Sequence, residues 1–155
     1  MRSQQGVFVQ SAGDRYQQNR QVLGNLTVNY KVLPQDTNGG LFILENVSHG
    51  KGGPPRHVHH NQEEWFYAVD GEFVVEVGET RHHLQPGDSL LAPRQVPHVW
   101  AHVGEDIGRL LVAFQPAGVM EAFFAGFSTL TVAPSHEEMQ KLFRAYDMEI
   151  VGPPL

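Results

Sequence analysis

The chain lacks cysteine and has few basic side chains, and both features exclude certain kinds of site and partner. Its 155 residues contain no cysteine, which excludes disulfide bonds, thiolate metal ligands and a cysteine nucleophile. There are 11 lysines and arginines against 17 aspartates and glutamates, which gives a formal net charge of −6. An acidic chain without a cluster of basic residues argues against nucleic acid or an anionic membrane as a partner.

Long apolar segments are also missing. The longest purely apolar run, residues 110–114, is far too short to cross a bilayer. The N-terminal residues have one arginine and no apolar stretch of the kind found in signal peptides. We therefore expect a soluble, cytoplasmic protein. No repeat, linker or low-complexity segment divides the chain, so we predict one domain over residues 1–155.

Glycine and proline are plentiful, with 16 and 10 residues, and they separate short apolar segments. Leu26, Val28 and Tyr30 alternate with polar residues, which is typical of a half-buried strand. Further strands are predicted at residues 41–47, 65–69, 73–77, 90–91, 96–103 and 110–114, the last buried on both faces. Short strands with such turns between them predict an all-β sandwich or barrel.

The C-terminal part, about residues 117–148, has helical periodicity instead. One apolar stripe lies in residues 119–127 and contains Met120, Phe123, Phe124 and Phe127. Residues 135–146 begin with a capping box, in which Glu138 follows Ser135 by three positions. We expect two helices that pack near the mouth of the barrel or on its outer face, with part of the stripe or an edge strand available to a second subunit.

Histidine spacing gives the first chemical signal. On an extended strand, residues two apart point to the same side, so His57 and His59 share a face and His60 points away. Such a pair of neutral imidazoles can hold one metal ion. Glu64 follows His59 by five positions and precedes Gly71 by seven. Its neighbour Glu63 lacks this spacing and is interpreted as a solvated turn residue.

A wider set of fixed spacings surrounds the histidine pair. Two segments carry it, first Gly52, His57, His59, Glu64 and Gly71, then Gly87, Pro93, Gln95, His98 and His102. An accidental match to the main offsets is expected on the order of once in several thousand. With these residues the sequence resembles the cupin superfamily over about residues 50–102. Gln95 stands where the second cupin motif usually has glycine, His102 stands where it has asparagine, and the spacing from Gly52 to His57 is one residue short.

This resemblance implies an all-β cupin barrel (a jelly roll, or double-stranded β-helix) with short C-terminal helices. It also implies one divalent metal ion inside the barrel, bound by His57, His59, Glu64 and His98. Three imidazoles and a carboxylate leave two positions open on an octahedral ion, as a catalytic site requires. The residue types accept Fe, Mn, Ni, Co, Cu or Zn, and the sequence does not choose among them.

The sequence around both motifs is similar to that of the quercetin 2,3-dioxygenase-like group of cupins. That resemblance implies a metal-dependent dioxygenase for a small aromatic or enolic compound, with Glu64 as both ligand and base. Two alternatives stay open: a non-catalytic small-molecule-binding or sensing cupin with a structural metal, and a cupin isomerase, epimerase or decarboxylase. Small cupins commonly form dimers, so we expect a homodimer.

Strand parity predicts an apolar pocket beside the ligands. Phe66 shares a face with Glu64, and Trp100 and His102 share a face with His98. His102 is interpreted either as a contact of the metal site or substrate or as a satisfied interior histidine. Other candidates for pocket or core are Leu41, Phe42, Phe73, Val75 and Phe114. The remaining histidines, which are expected at the surface, are His49, His60, His82, His83 and His136.

Overall fold

The protein folds into two facing antiparallel sheets followed by two short helices. The structure, a computed structural model, describes residues 4–22 and 24–155. Within them the elements are β1 (Gln21–Val22), β2 (Leu26–Val32), β3 (Phe42–Ser48), β4 (His57–His59), β5 (Glu63–Asp70), β6 (Phe73–Val77), β7 (Thr80–Leu84), β8 (Ser89–Ala92), β9 (His98–His102), β10 (Gly108–Gln115), α1 (Met120–Phe127), α2 (His136–Ala145) and β11 (Met148–Ile150).

Strands from distant parts of the chain are neighbours in each sheet. The first sheet has the order β1-β2-β3-β10-β5-β8 and the second β11-β4-β9-β6-β7. Pairs such as β3 with β10 and β4 with β9 join the two halves of the chain, so the sheets close on a shared interior. This arrangement confirms the predicted all-β barrel with C-terminal helices.

The core lies between the inner faces of the sheets. Along β10, Leu110, Val112 and Phe114 are buried, whereas Leu111 and Ala113 between them are half-buried. The prediction that residues 110–114 are buried on both faces is therefore wrong. β10 has a hydrogen-bonded neighbour on each edge, but its outer face is only partly covered.

Strand positions otherwise agree with the sequence pattern to within one or two residues at each end. The prediction missed the two-residue β1. It also missed β11, whose three residues pair with β4 and place Met148 opposite His59. It also misread Glu63, which begins β5 and is held by Arg94 through an ion pair of 2.7 Å. A charged residue at a strand end looks like a turn residue when its partner lies 31 positions away.

The C-terminal helices pack against the barrel, because Phe123 and Phe127 of α1 and Phe143 of α2 belong to its buried core. The capping box of α2 is confirmed, because the Glu138 backbone N–H donates to Ser135 Oγ over 3.2 Å. Phe123 of α1 contacts the ring of Phe143 in α2, with centroids 5.2 Å apart. No helix within the described part of the chain is long and apolar enough to cross a membrane.

Gln95 has a φ of +67° at the position where the cupin motif usually has glycine. Its backbone N–H donates to the His59 carbonyl over 2.8 Å, so this left-handed turn joins the end of β4 to the approach to β9. Side chains rarely adopt this conformation, which costs roughly 1–2 kcal/mol for residues other than glycine.

We expect Gln95→Gly to raise the free energy of unfolding by about 0.5 kcal/mol, since relief of that cost exceeds the entropy that glycine adds to the unfolded chain. Gln85→Gly is the matched control, because Gln85 is also exposed but has no positive φ. The control should lose about 0.5–1 kcal/mol. Urea unfolding of both variants measures this, and a loss for Gln95→Gly equal to the control would contradict the strain argument.

Candidate metal centre

Four side chains from both sheets meet inside the barrel. His57 and His59 come from β4, His98 comes from β9 and Glu64 comes from β5 of the facing sheet. Each offers one ligand atom, and the four atoms all lie within 4.8 Å of one another. The structure thus brings together the four residues that the cupin resemblance assigns to a metal.

The Glu64 carboxylate is the centre of this cluster. Its Oε2 atom lies 2.6 Å from His98 Nε2 and 3.0 Å from His59 Nε2. All four side chains are at most 5% exposed, so water does not solvate the negative charge. A buried carboxylate at this distance from imidazoles needs positive charge beside it, which a proton or a metal ion supplies.

Backbone carbonyls fix how the imidazoles face. His57 Nδ1 donates to the Pro55 carbonyl over 2.8 Å, and His98 Nδ1 faces the Val96 carbonyl at 3.3 Å. In each ring this leaves Nε2 for the cluster, which is the arrangement by which proteins orient metal-ligating histidines. A tautomer set by the backbone prepares the ring to bind a cation.

His59 provides the test of fit for a metal. Neither ring nitrogen of this buried side chain has a hydrogen-bond partner among residues 4–22 and 24–155, although Nε2 is close to Glu64. Burial of an imidazole without partners is unfavourable, and coordination of a cation would satisfy it. The donor set of three imidazoles and one carboxylate suits the transition metals and zinc. These four residues could therefore hold a divalent metal ion.

The electrostatics of the cluster favour the protonation states that metal binding requires. Burial disfavours the charged form of Glu64, but the nearby His98 and His59 outweigh it and hold the pKa of the carboxyl well below its usual range. Burial, together with the neighbouring histidines, lowers the pKa of His57 to about 3. Glu64 is thus ionised and His57 neutral near pH 7, as ligands must be.

The cluster opens onto an apolar cavity of about 310 Å³. His57, His59 and Glu64 form part of its wall, and the rest is rich in aromatic and methionine side chains, namely Trp100, Phe114, Met120, Phe123, Phe124, Phe127, Met139, Phe143 and Met148. Its exposed lining residues are Asn25, Lys51 and Gly53, so the cavity opens between the β1–β2 turn and the β3–β4 loop. A concave apolar site with a few convergent polar groups is typical of small-molecule binding.

Only part of the predicted pocket lines this cavity. Trp100 and Phe114 do, whereas Phe66 lies behind His98, with ring centroids 5.9 Å apart, and belongs to the core. Leu41, Phe42, Phe73 and Val75 are also outside the lining.

His102 does not line the cavity either. Its Nδ1 donates to the Gly50 carbonyl over 3.0 Å, and its ring packs so tightly over Gly108 that a Cβ there would lie 2.5 Å from the ring. This placement favours the interpretation of an interior histidine, but the histidine is not fully satisfied, because its Nε2 has no hydrogen-bond partner among the described residues. Because His102 follows His98 by four positions, strand parity correctly predicted that both lie on the same face of β9. Parity could not predict which residues His102 contacts there.

The C-terminal elements contribute cavity residues that motif spacing missed. Phe143 of α2 packs edge-on against the His57 ring, with centroids 5.5 Å apart, and Met148 of β11 lies opposite His59. Asn46 and Ser48 of β3 also line the cavity and were missed. Their signal was present in the strand pattern, because they continue the inward parity of Phe42 and Leu44.

The histidines predicted to lie away from the site do so. His49, His60, His83 and His136 are exposed, and His82 is half-buried on β7. His60 directly follows β4 and is exposed, whereas His59 before it is buried, in agreement with the prediction that His60 points away from the site.

Residues 43–114 match the family model of the cupin domain. Over these residues the chain contains a cupin domain. Two solved structures share its fold. KdgF from Halomonas sp. is 20% identical with a TM-score of 0.60, covering 72% of this chain and 94% of that one. An RmlC-like cupin from Shewanella frigidimarina is 26% identical with a TM-score of 0.54, covering 64% and 84%.

One segment of the chain is also similar to a curated protein. An oxidoreductase of Arthrobotrys oligospora is 35% identical over 54 residues, which is 34% of this chain and 21% of that protein. The chain therefore spans about a fifth of the length of this relative. The similarity is confined to a segment and does not transfer the activity of the whole protein.

We expect His57→Ala, His59→Ala and His98→Ala each to lower the metal content of the purified protein, because each removes one ligand from the cluster. His60→Ala is the matched control, since it removes an exposed imidazole from the position directly after β4. Elemental analysis by mass spectrometry of the four variants measures this. Loss of metal in His60→Ala with retention in His59→Ala would show that the strand register is wrong.

The metal-free fold should lose stability as pH falls. The unfolded chain protonates His57 near pH 6.5, whereas the folded chain does so only at its pKa of about 3, so the free energy of unfolding decreases across this window. The lowered pKa of Glu64 acts in the same direction below about pH 4.5. In chelator-treated protein, urea unfolding at successive pH values should show a shallower decline between pH 6.5 and 4.5 for His57→Phe than for the wild type. Equal slopes would contradict the assignment to His57.

Proposed function

We propose that this cupin is a metal-dependent oxidoreductase, of the quercetin 2,3-dioxygenase type, that acts on a small aromatic or enolic compound. The observation that carries the proposal is that three members of the metal cluster, His57, His59 and Glu64, line the aromatic cavity. A ligand in the cavity would meet the cluster directly. The name of the Arthrobotrys oligospora relative supports the class of reaction.

The cavity supports the class of substrate. Its volume of about 310 Å³ is at the lower end of the roughly 300–1,000 Å³ that is typical of small-molecule sites. Aromatic rings such as Trp100 and Phe143 favour planar, apolar ligands, and flexible methionines such as Met120 adapt to their shape. The lining has one exposed cationic side chain, Lys51, which pairs with Glu105. These features favour a neutral aromatic or enolic compound over a phosphorylated one.

A metal ion held by the four residues would supply Lewis-acid and redox chemistry, with dioxygen as the oxidant. The residues of the chain have separate tasks. The aromatic wall excludes water and orients the ring of the substrate. Glu64 is ionised, and its Oε1 atom makes neither of the contacts that Oε2 makes with His98 and His59. We assign to Oε1 the acceptance of a proton from a substrate hydroxyl.

The low pKa of Glu64 limits its strength as a proton acceptor. A carboxylate stabilised by His59 and His98 is always available as an acceptor, yet it is a weaker base than an ordinary glutamate. Proton transfer to it therefore depends on close positioning of the substrate hydroxyl.

A homodimeric assembly and a cytoplasmic location stay predictions of the sequence.

We expect Glu64→Gln to retain some metal while losing oxygen uptake by roughly 100-fold or more, because it keeps an oxygen ligand and removes the base. Metal content and oxygen consumption are measured on one preparation, with flavonols, catechols and enediols as substrates. Glu63→Gln is the control, since Glu63 is paired with Arg94 outside the cluster. Activity that merely follows metal occupancy would leave Glu64 as a ligand only.

The same assay separates the alternatives. Turnover of a substrate without oxygen uptake would replace the dioxygenase with an isomerase or decarboxylase. Absence of turnover by the metal-loaded wild type across the whole panel would replace it with a binding or sensing cupin.

A further inference from the structure

Two polar side chains on β3 face the otherwise apolar cavity. The inward residues of this strand are Phe42, Leu44, Asn46 and Ser48, so its inner face changes from apolar to polar halfway along. Asn46 and Ser48 are 3% and 2% exposed, and both line the cavity that contains His57, His59 and Glu64. Polar residues at inward positions of a barrel strand need a partner to offset their burial.

The side-chain oxygen of each residue lacks a partner. Asn46 Oδ1 and Ser48 Oγ are buried and have no hydrogen-bond partner in the part of the chain that the structure describes. Their cross-strand neighbours offer none, because Asn46 lies opposite Leu110 and Val28, and Ser48 lies opposite Gly108 and Leu26. An unpaired buried polar atom is costly, and a ligand that pairs with it removes that cost.

Apart from the ring nitrogens of His59, which lie in the metal cluster, no other unpaired buried atom among the described residues belongs to a residue that lines the cavity. Tyr30 Oη and Glu45 Oε1 are also buried without a partner among the described residues, but neither residue lines the cavity. Asn46 and Ser48 thus combine two features, a missing partner and access to a space that a ligand can fill.

The register of the sheet separates this polar pair from the metal cluster. Asn46 lies opposite Leu110 on β10, whereas Glu64 lies opposite Phe114 on the same strand. Four residues along an antiparallel strand correspond to about 13 Å. One cavity therefore has the cluster near one end and the neutral polar pair towards the other, with apolar walls between them.

We infer that Asn46 and Ser48 form a second polar subsite, which binds a neutral hydroxyl or amide group at the end of the ligand remote from the metal cluster. This inference rests on the proposed function, since it assumes that the other end of the ligand meets the cluster. A hydroxyl both donates and accepts, and so it matches an amide and a serine hydroxyl. Asn46 and Ser48 carry no charge, so an ionised group buried beside them would lack compensation. The subsite selects elongated substrates with a polar group at each end.

Two rod-shaped catechols that differ by one distal hydroxyl test this subsite: 3,4-dihydroxybiphenyl and 3,4,4′-trihydroxybiphenyl. Calorimetric titration into the metal-loaded wild type should show the triol binding about 10-fold more tightly than the diol, as expected for one buried hydrogen bond. In the double variant Asn46→Leu/Ser48→Ala the ratio should fall to about 1, with little change for the diol. Leu26→Val is the control, because it reshapes the same wall opposite Ser48 without altering polarity and should keep the ratio.

Equal affinity of the two probes for the wild type, or a ratio that survives in the double variant, would overturn the subsite and leave the proposed function intact. Binding of neither probe would overturn both. Thermal unfolding of the ligand-free proteins provides the second readout. A ligand-binding role predicts that the double variant unfolds at the same or a higher temperature than the wild type, since it removes unpaired buried atoms. A clearly lower temperature would show that Asn46 and Ser48 stabilise the fold instead.

Discussion

The buried Glu64 carboxylate is the constraint around which the interior of this protein is organised. It comes from one sheet and faces three imidazoles from the other, at 2.6 Å from His98 and 3.0 Å from His59. A negative charge at this depth is tolerated only with a cation beside it, so the two sheets are held in a relation that keeps the histidines close. The same contacts keep Glu64 ionised. The packing of the interior and the proposed metal binding thus depend on one set of interactions.

The cavity places that charge beside a hydrophobic surface. Phe143 packs against His57 and Phe114 packs against His59. The imidazole rings of the cluster are therefore held by apolar neighbours as well as by backbone carbonyls. The C-terminal helices supply much of this wall, and their aromatic stripes therefore belong to the site as much as to the core. The polar pair on β3 adds a second point of attachment, which would orient a ligand along the long direction of the cavity.

The sequence predicted the parts of the structure that local rules determine. Strand alternation fixed which of His57, His59 and His60 face inward, and the capping box fixed the start of α2. Motif spacing brought Glu64 and His98 to the histidine pair because each is tied to a turn, such as Gly71, where a Cβ would lie 2.8 Å from the Gly108 backbone. Each of these features depends on a few residues that are close in sequence, so it can be predicted without knowledge of the rest of the fold.

What the sequence could not show depends on contacts between distant segments. β11 has three residues and is a strand only because β4 is beside it. Phe66 and Trp100 each follow a cluster residue by two positions, yet only Trp100 lines the cavity. Phe66 packs against the His98 ring instead, a contact between residues 32 positions apart. The sequence shows that Asn46 and Ser48 are polar residues at inward positions, but only the structure shows that they line a cavity.

X-ray absorption spectroscopy of the metal-loaded wild type tests the central claim most directly, because it counts the imidazoles around the ion without any substitution. The account predicts one metal ion per chain, with three imidazole ligands and the remaining positions filled by oxygen. A chain that takes up no stoichiometric metal, or an ion surrounded by oxygen ligands with at most one imidazole, would contradict the assignment of His57, His59, Glu64 and His98 as a metal centre.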